Sequence, residues 1–360
     1  MENKKRIVQV LYSGMGGHGT VALSLLKGFT KNNLANYFIF YGIEPLNEHY
    51  KKVLRNNPDV LRYDAIKKRT KLGVKEWIAY YKFLKNIKPH IILQHSPQLI
   101  LVSFLYRLFH KAKIITVEHD AISIRTKTKW MVTNLNAILA NKIVVLNDQY
   151  KKHIKSNLWF STLIKKYVVI PNGINSSKYK QKEKYFQKKE ITIFMASRMN
   201  KLRDHKTLIE AVTLAYKENT NIRLRIAGDG DTLTGLKRIY EGLFFISFLG
   251  NISESSIIKE LHLADIYIHA TFAETFSTAI LQAMSVGLPI IVSDIEGTRH
   301  MINTNNGVLY QSENIDDLFL KIQLLINNKE KAILLGKKAR KDVVNKYTIN
   351  KVTESFLKLF

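Results

Sequence analysis

Apolar residues along the chain follow two alternating patterns. Short runs rich in β-branched and aromatic residues recur, and between them lie segments with apolar positions at helical spacing. In the first half the runs are Arg6–Ser13, Tyr37–Tyr41, Ile91–His95, Lys113–Glu118 and Lys142–Leu146. In the second half they are Ile191–Ser197, Arg223–Ala227, Ser247–Leu249, Ile266–His269, Pro289–Ser293 and Gly307–Leu309. Helical spacing fills the gaps, as in Leu208–Lys217, Ser277–Val286 and Asp316–Asn327. Strands that alternate with helices predict parallel sheets joined by right-handed crossovers.

The alternation stops near Ile170. Pro171-Asn172-Gly173 is strong turn punctuation, and Asn175 to Lys189 is polar, lysine-rich and without apolar period. It restarts at Ile191. The pattern therefore predicts an α/β protein of two doubly wound, Rossmann-like domains. The first spans 1–172, a linker 173–189 and the second domain 190–345. A C-terminal helix over 346–360 is expected to pack back on the first domain. Ligands of such sheets bind beyond the carboxyl ends of the strands. Two domains facing across a cleft would place the site between them.

Composition narrows the class. The 360 residues are 46% hydrophobic and 24% charged, which excludes a disordered or fibrous chain. With no cysteine there is no disulfide, cysteine-ligated zinc, iron–sulfur cluster or thiol nucleophile. The apolar stretch after Lys4-Lys5-Arg6 is too short for a signal-peptide core. No stretch reaches the roughly 18 consecutive apolar residues of a membrane span. The expectation is a cytoplasmic protein.

Charge is distributed unevenly. Residues 1–180 hold 31 Lys and Arg against 9 Asp and Glu, whereas residues 181–360 hold 25 against 20. A basic first half favours phosphate-rich partners. Lys51 to Lys88 interleaves twelve basic residues with Tyr50, Tyr63, Trp77, Tyr80, Tyr81 and Phe83. That mixture suits an anionic membrane surface, reached peripherally from the inner face of the cytoplasmic membrane. A second segment, Gln98–Lys111, carries Phe104, Tyr106 and Phe109 beside Arg107, His110 and Lys111, and is read as a core-packed helix, with a membrane anchor as the alternative. Nucleic acid would explain the charge, but no recognition helix or RNA module is present, so none is expected.

Three segments carry candidate chemistry. Ser13-Gly14-Met15-Gly16-Gly17-His18-Gly19 follows the first strand and opens a helix, a turn that lets backbone N–H groups approach a phosphate. A nicotinamide cofactor would also require an acid at the end of the second strand, and none precedes Glu44. The second segment runs from Ala264 to Met284. A strand delivers a loop bearing Glu274, and a helix starts after it, so the N–H groups of Phe276, Ser277 and Thr278 are available to an anion. Gln282 lies two helical turns beyond Glu274. A carboxylate beside an anion-binding helix start suits a ligand with both phosphates and hydroxyls, such as a nucleotide sugar. In the third segment, Arg198 and Arg203 flank a loop after a strand, where two guanidiniums could clamp a diphosphate. Asp229-Gly230-Asp231 spells D-x-D, yet it sits in a strand-to-helix turn and is not assigned a metal.

Taken in order, these segments resemble the family-4 glycosyltransferases of the GT-B fold. The resemblance spans almost the whole chain. It includes Gly16-Gly17, Val117-Glu118-His119-Asp120, Ile170-Pro171-Asn172-Gly173-Ile174, the Arg198 loop, Ile226-Ala227-Gly228-Asp229-Gly230, Phe248-Leu249-Gly250 and the Glu274 block with Gly287-Leu288-Pro289.

The resemblance implies a retaining transfer without metal or other cofactor. A hexose or N-acetylhexosamine would move from a UDP- or GDP-sugar to a hydroxyl of a lipid-linked or cell-surface glycan, as in lipopolysaccharide, capsule or exopolysaccharide synthesis. By position, Arg198 and Arg203 would hold the diphosphate, and Glu274 the sugar hydroxyls. Gln282 would face the ribose, and His119 would lie near the reacting sugar. Gly16, Gly17, Gly228, Phe276, Ser277 and Thr278 would lend backbone groups to the donor. The chain departs from the family pattern at Arg203, where lysine is usual, and at Gln282, where glutamate is usual. A nucleotide-sugar epimerase or hydrolase of the same fold is the alternative.

Overall fold

The computed structural model describes residues 4–14, 17–46, 48–67 and 73–360. The chain forms two compact units. One comprises 1–173 with 349–360, and the other 174–348.

In the first unit, β1 (Lys5–Tyr12), α1 (Gly17–Lys31), β2 (Leu34–Gly42), α2 (Glu48–Arg55), β3 (Val60–Lys67) and α3 (Val74–Ile87) are followed by β4 (Ile91–Gln94) and α4 (Ile100–Phe109). Then come β5 (Lys113–Val117), α5 (Lys127–Leu139), β6 (Lys142–Val145), α6 (Asp148–Ser156) and β7 (Tyr167–Val169). The sheet order is β3-β2-β1-β4-β5-β6-β7, and every pairing is parallel. Central strands such as β4 are buried along their whole length, which is why they read as continuous apolar runs.

The second unit contains β8 (Ile191–Ala196), α7 (His205–Glu218), β9 (Ile222–Ala227), α8 (Leu233–Ile239), β10 (Ile246–Gly250), α9 (Glu254–Leu263) and β11 (Ile266–His269). It continues with α10 (Thr278–Val286), β12 (Ile290–Ser293), α11 (Glu296–Arg299), β13 (Val308–Tyr310), α12 (Ile315–Asn327) and α13 (Lys329–Lys346). Its parallel sheet runs β10-β9-β8-β11-β12-β13. The last helix, α14 (Ile349–Leu357), belongs to the first unit and packs on α1. There Gly28 of α1 leaves room for Thr353, and Phe29 meets Phe356 edge-on at 6.5 Å.

Two sequence expectations need correction. The stretch read as a linker, 173–189, is largely part of the second unit. Tyr179 is buried, Lys182 is buried with its ammonium on the Ala264 carbonyl, and Tyr185 donates to the Gly287 carbonyl at 3.0 Å. Tertiary contacts hold this segment, so it shows no period of its own. Where it is described, the basic–aromatic stretch 51–88 forms the end of α2, β3 and α3. Tyr50, Tyr80 and Phe83 point into the core and are not available to a surface. The helix read as core-packed, α4, does pack on the core through Ile100, Val102 and Tyr106, and its outer face exposes Leu101, Leu105, Leu108 and Phe109. Among the described residues no helix is long and apolar enough to cross a membrane.

Candidate active site

In the second unit the strand order reverses between β8 and β11, the position where ligands of doubly wound sheets bind. Two loops leave these neighbouring strands at their carboxyl ends. The β8 loop carries Arg198 and Arg203, and the β11 loop carries Glu274.

The β8 loop is held by backbone contacts with the turn after β9. Ser197 N–H donates to the Ala227 carbonyl at 3.0 Å, and Met199 N–H to the Asp229 carbonyl at 2.9 Å. Such an approach leaves no room for side chains. A Cβ at Gly228, whose φ is +140°, would lie 1.7 Å from the Ser197 oxygen, and one at Gly230 would lie 2.4 Å from the Met199 oxygen. These glycines therefore position the Arg198 loop. Arg198 itself is exposed, and its guanidinium has no partner among the described residues.

Arg203 is committed to the β11 loop through both terminal guanidinium nitrogens. It donates to Thr271 Oγ1 at 2.7 Å, to the Ala273 carbonyl at 2.8 Å and to Glu274 Oε2 at 3.2 Å. The two arginines thus differ, one open and one committed to the β11 loop. Glu274 also accepts from Thr275 N–H at 3.0 Å, and His269 Nε2 lies 3.5 Å away. Burial pushes the Glu274 carboxyl up, but the Arg203 charge and the hydrogen bonds outweigh it and bring its pKa down to about 2. Glu274 is therefore a fixed carboxylate, held as an acceptor. Behind it the Glu274 carbonyl packs so closely on α11 that a Cβ at Gly297 would lie 1.9 Å away.

Two histidines that sequence reading passed over lie beneath these loops. His269 is buried beside Tyr267, whose hydroxyl is 3.2 Å from His269 Nδ1. Burial lowers its pKa. His205, at the start of α7, is within 3.0 Å of Ser197 Oγ, and burial with nearby positive charge takes its pKa to about 4. Both sit at strand-end or helix-start positions, the signal that could have found them.

α10 begins beside Glu274. Ser277 caps it by accepting from Ile280 N–H at 3.3 Å, while Thr278 lies in the first turn, whose amides have no partner within the helix. The Phe276 side chain is buried against Tyr347, so only its backbone can serve a ligand. Gln282 donates through Nε2 to the Tyr179 hydroxyl at 2.9 Å, and Tyr179 in turn donates to Glu254 at 3.0 Å. Among the described residues no three His, Asp or Glu side chains form a group that could hold a metal.

In the first unit the order reverses between β1 and β4. Gly16 lies outside the described residues, and Gly17 is the first residue of α1. Gly14 and Gly19 allow close packing, since a Cβ would stand 2.1 Å from Glu44 or from the Tyr50 hydroxyl respectively. His119 follows β5, and its Nε2 lies 3.0 Å from Nδ1 of His95, which follows β4. The rings stack with centroids 5.3 Å apart. Next to His119, Glu118 is buried and paired with Arg125 at 2.5 Å, and Arg125 also donates to Thr133 and Tyr150. Tyr150 reaches the Asp120 carbonyl at 2.6 Å, so the loop bearing His119 is tied from both sides.

Comparison with known proteins agrees with this geometry. The sequence model described as Glycosyltransferase Family 4 matches residues 15–178, and that described as Glycosyl transferases group 1 matches residues 177–342. The poly(ribitol-phosphate) alpha-N-acetylglucosaminyltransferase of Staphylococcus aureus is 25% identical, over 92% of this chain and 68% of its own. The Escherichia coli UDP-Gal:alpha-D-GlcNAc-diphosphoundecaprenol alpha-1,3-galactosyltransferase is 24% identical, over 80% and 79%. In fold, Anabaena HepE, solved with UDP and glucose, matches with a TM-score of 0.83 at 15% identity over 99% of both chains. Matched in succession by the two sequence models, with both sheets and their order in place, the chain belongs to the family-4 glycosyltransferases of the GT-B fold.

Proposed function

We propose that this glycosyltransferase moves a hexose or N-acetylhexosamine from a UDP- or GDP-sugar to a hydroxyl of a lipid-linked or cell-surface glycan, with retention at the anomeric carbon. The observation that carries the reading is the pairing of an open cation with a fixed anion acceptor at one switch point. Arg198 stands uncommitted in the same loop whose Arg203 fixes the Glu274 carboxylate. Arg198 is assigned to the diphosphate and Glu274 to the sugar hydroxyls. Arg203 acts through Glu274 as a positioning residue.

Charge developing on the leaving diphosphate is met by Arg198 and by the first-turn amides of α10. Preorganised stabilisation of this kind is commonly the largest catalytic term. His119 is assigned to the acceptor side of the reacting sugar. With no side chain assigned as a nucleophile, the leaving phosphate takes the acceptor proton as the new glycosidic bond forms on the same face. UDP is the first nucleotide to test, because the Escherichia coli relative is named for UDP-Gal.

The test is transfer from UDP-N-acetylglucosamine or UDP-galactose to a diphosphoundecaprenol-linked sugar or a polyol-phosphate acceptor, with product anomers read by NMR. Glu274→Ala and Arg198→Ala should each lower turnover by about tenfold or more. Acceptor-independent release of free sugar, or interconversion of the donor, would replace this reading with a hydrolase or epimerase.

A further inference from the structure

β11 reads Ile266-Tyr267-Ile268-His269 and is buried along its whole length, two residues being aliphatic and two carrying polar atoms. Side chains alternate across a strand, so Tyr267 and His269 share one face. Their rings stack with centroids 6.2 Å apart and planes 17° from parallel. Burying an imidazole costs free energy unless its nitrogens find partners. His269 is 1% exposed, so bulk solvent supplies none. Its nitrogens instead face two protein groups. Nδ1 lies 3.2 Å from the Tyr267 hydroxyl, and Nε2 lies 3.5 Å from Oε2 of Glu274. The second distance is long for a hydrogen bond, but charge acts beyond that range in a buried site.

The tautomer follows from these neighbours. Burial lowers the pKa of His269 below its ordinary value, with the Arg203 charge adding to the effect and Glu274 opposing it. Near neutral pH the ring therefore carries a single N–H. On Nδ1 that proton would leave the Nε2 lone pair facing an anionic oxygen. On Nε2 it turns a positive hydrogen toward Oε2 and leaves Nδ1 to accept. The Tyr267 hydroxyl can serve as the donor to Nδ1, since it lies 3.2 Å both from that nitrogen and from the Ala196 carbonyl. The consequence falls on the carboxylate. Oε2 is shared by Arg203 at 3.2 Å and His269, whereas Oε1 accepts from Thr275 N–H at 3.0 Å. A carboxylate oxygen has about two acceptor sites, so Oε1 keeps one for a ligand.

We propose that His269 is a positioning residue for Glu274: its Nε2–H, together with Arg203, holds Oε2 in the interior and so reserves Oε1 for a hydroxyl of the donor sugar. The proposal rests on the assignment of Glu274 to the sugar under Proposed function, and it adds the residue that turns the carboxylate and the oxygen that does the binding.

The experiment compares the full chain with its His269→Leu, His269→Gln and Glu274→Ala variants in transfer from UDP-N-acetylglucosamine or UDP-galactose, with UDP affinity measured by calorimetry. His269→Leu removes the N–H and should lower kcat/KM for the donor about tenfold. Its affinity for UDP, which carries no sugar, should stay within about twofold of wild type. His269→Gln, whose amide can donate from near the Nε2 position, should recover most of the loss. The tautomer is read in wild type, without any transfer, from the ring-nitrogen chemical shifts of isotope-labelled histidine. The His269 signal is identified by its absence from His269→Gln, and an Nε2–H ring is expected. An Nδ1–H ring would overturn the proposal. So would equal losses in His269→Leu and His269→Gln, or an unchanged kcat/KM in His269→Leu beside an impaired Glu274→Ala. Glu274→Ala that transfers as well as wild type would instead refute the assignment of Glu274 to the sugar.

Discussion

Arg203 and Glu274 come from loops on adjacent strands, and their side chains meet at 3.2 Å where the second sheet reverses its order. The same guanidinium also holds Thr271 and the Ala273 carbonyl. It therefore shapes the loop that presents the carboxylate. Arg198, five residues earlier, has no such duty.

This difference separates the two arginines experimentally. Arg203→Ala leaves a mostly buried carboxylate without its cation, and should destabilise the protein by about 3 kcal/mol. Arg198→Ala removes an exposed side chain and should stay within about 0.5 kcal/mol of wild type. Turnover should fall in both, but only Arg203→Ala should lower the melting temperature. Thermal unfolding beside a transfer assay checks this. Equal stability losses would contradict the assigned roles.

The glycines at 228 and 230 make a second prediction. Gly228→Ala would force a Cβ to within 1.7 Å of the Ser197 carbonyl at a φ that side chains avoid. The cost should be about 2 kcal/mol or more, and the shifted loop should raise the nucleotide KM. Gly235→Ala, where a Cβ meets nothing, is the control. A neutral Gly228→Ala would mean that the Arg198 loop is not held by this contact.

Acid should act through His205 before it acts through Glu274. The folded pKa of His205 is about 4, below the ordinary value of 6.5, so the folded state resists its protonation. Its contribution is complete above about pH 6.5 and is lost as pH falls toward 4. Glu274, with a folded pKa of about 2, contributes above its ordinary value of 4.5 and loses that contribution only as pH falls toward 2. Melting curves of His205→Gln should therefore decline less steeply than wild type between pH 6.5 and 4. Parallel curves would remove His205 from the account.

Gln282 stands where the family usually has glutamate, but restoring the carboxylate should not help. Tyr179 gives its one hydroxyl proton to Glu254 and so accepts from the Gln282 amide. Gln282→Glu would set oxygen against oxygen and should weaken UDP binding by about threefold or more. Adding Glu254→Gln, which leaves the tyrosine proton free to turn, should recover the loss. Tighter binding by the single variant would show that the relay does not orient residue 282.

Much of this architecture is legible in the chain because its central strands are buried on both faces. β4 and β8 are buried at every residue and mostly apolar, and both are readable within a residue or two. β3 was not, since an edge strand exposing Leu61, Arg62 and Asp64 has no apolar run to see. β7 is three residues long and follows two lysines. The places of Arg198 and Glu274, in loops after strands, are legible in the chain. The roles of Arg203, His205, Tyr179 and His95 were not. Each depends on a partner distant in sequence, from Arg203 with Glu274 to Tyr179 with Gln282, and only the fold brings those partners together.

The most direct test of a nucleotide-sugar site in the second unit is calorimetric titration of UDP and GDP into wild type and Arg198→Ala. Wild type should bind one of the two, and Arg198→Ala should bind it about tenfold or more weakly with an unchanged melting temperature. Wild type that binds neither nucleotide, or an Arg198→Ala variant that binds as well as wild type, would contradict the account.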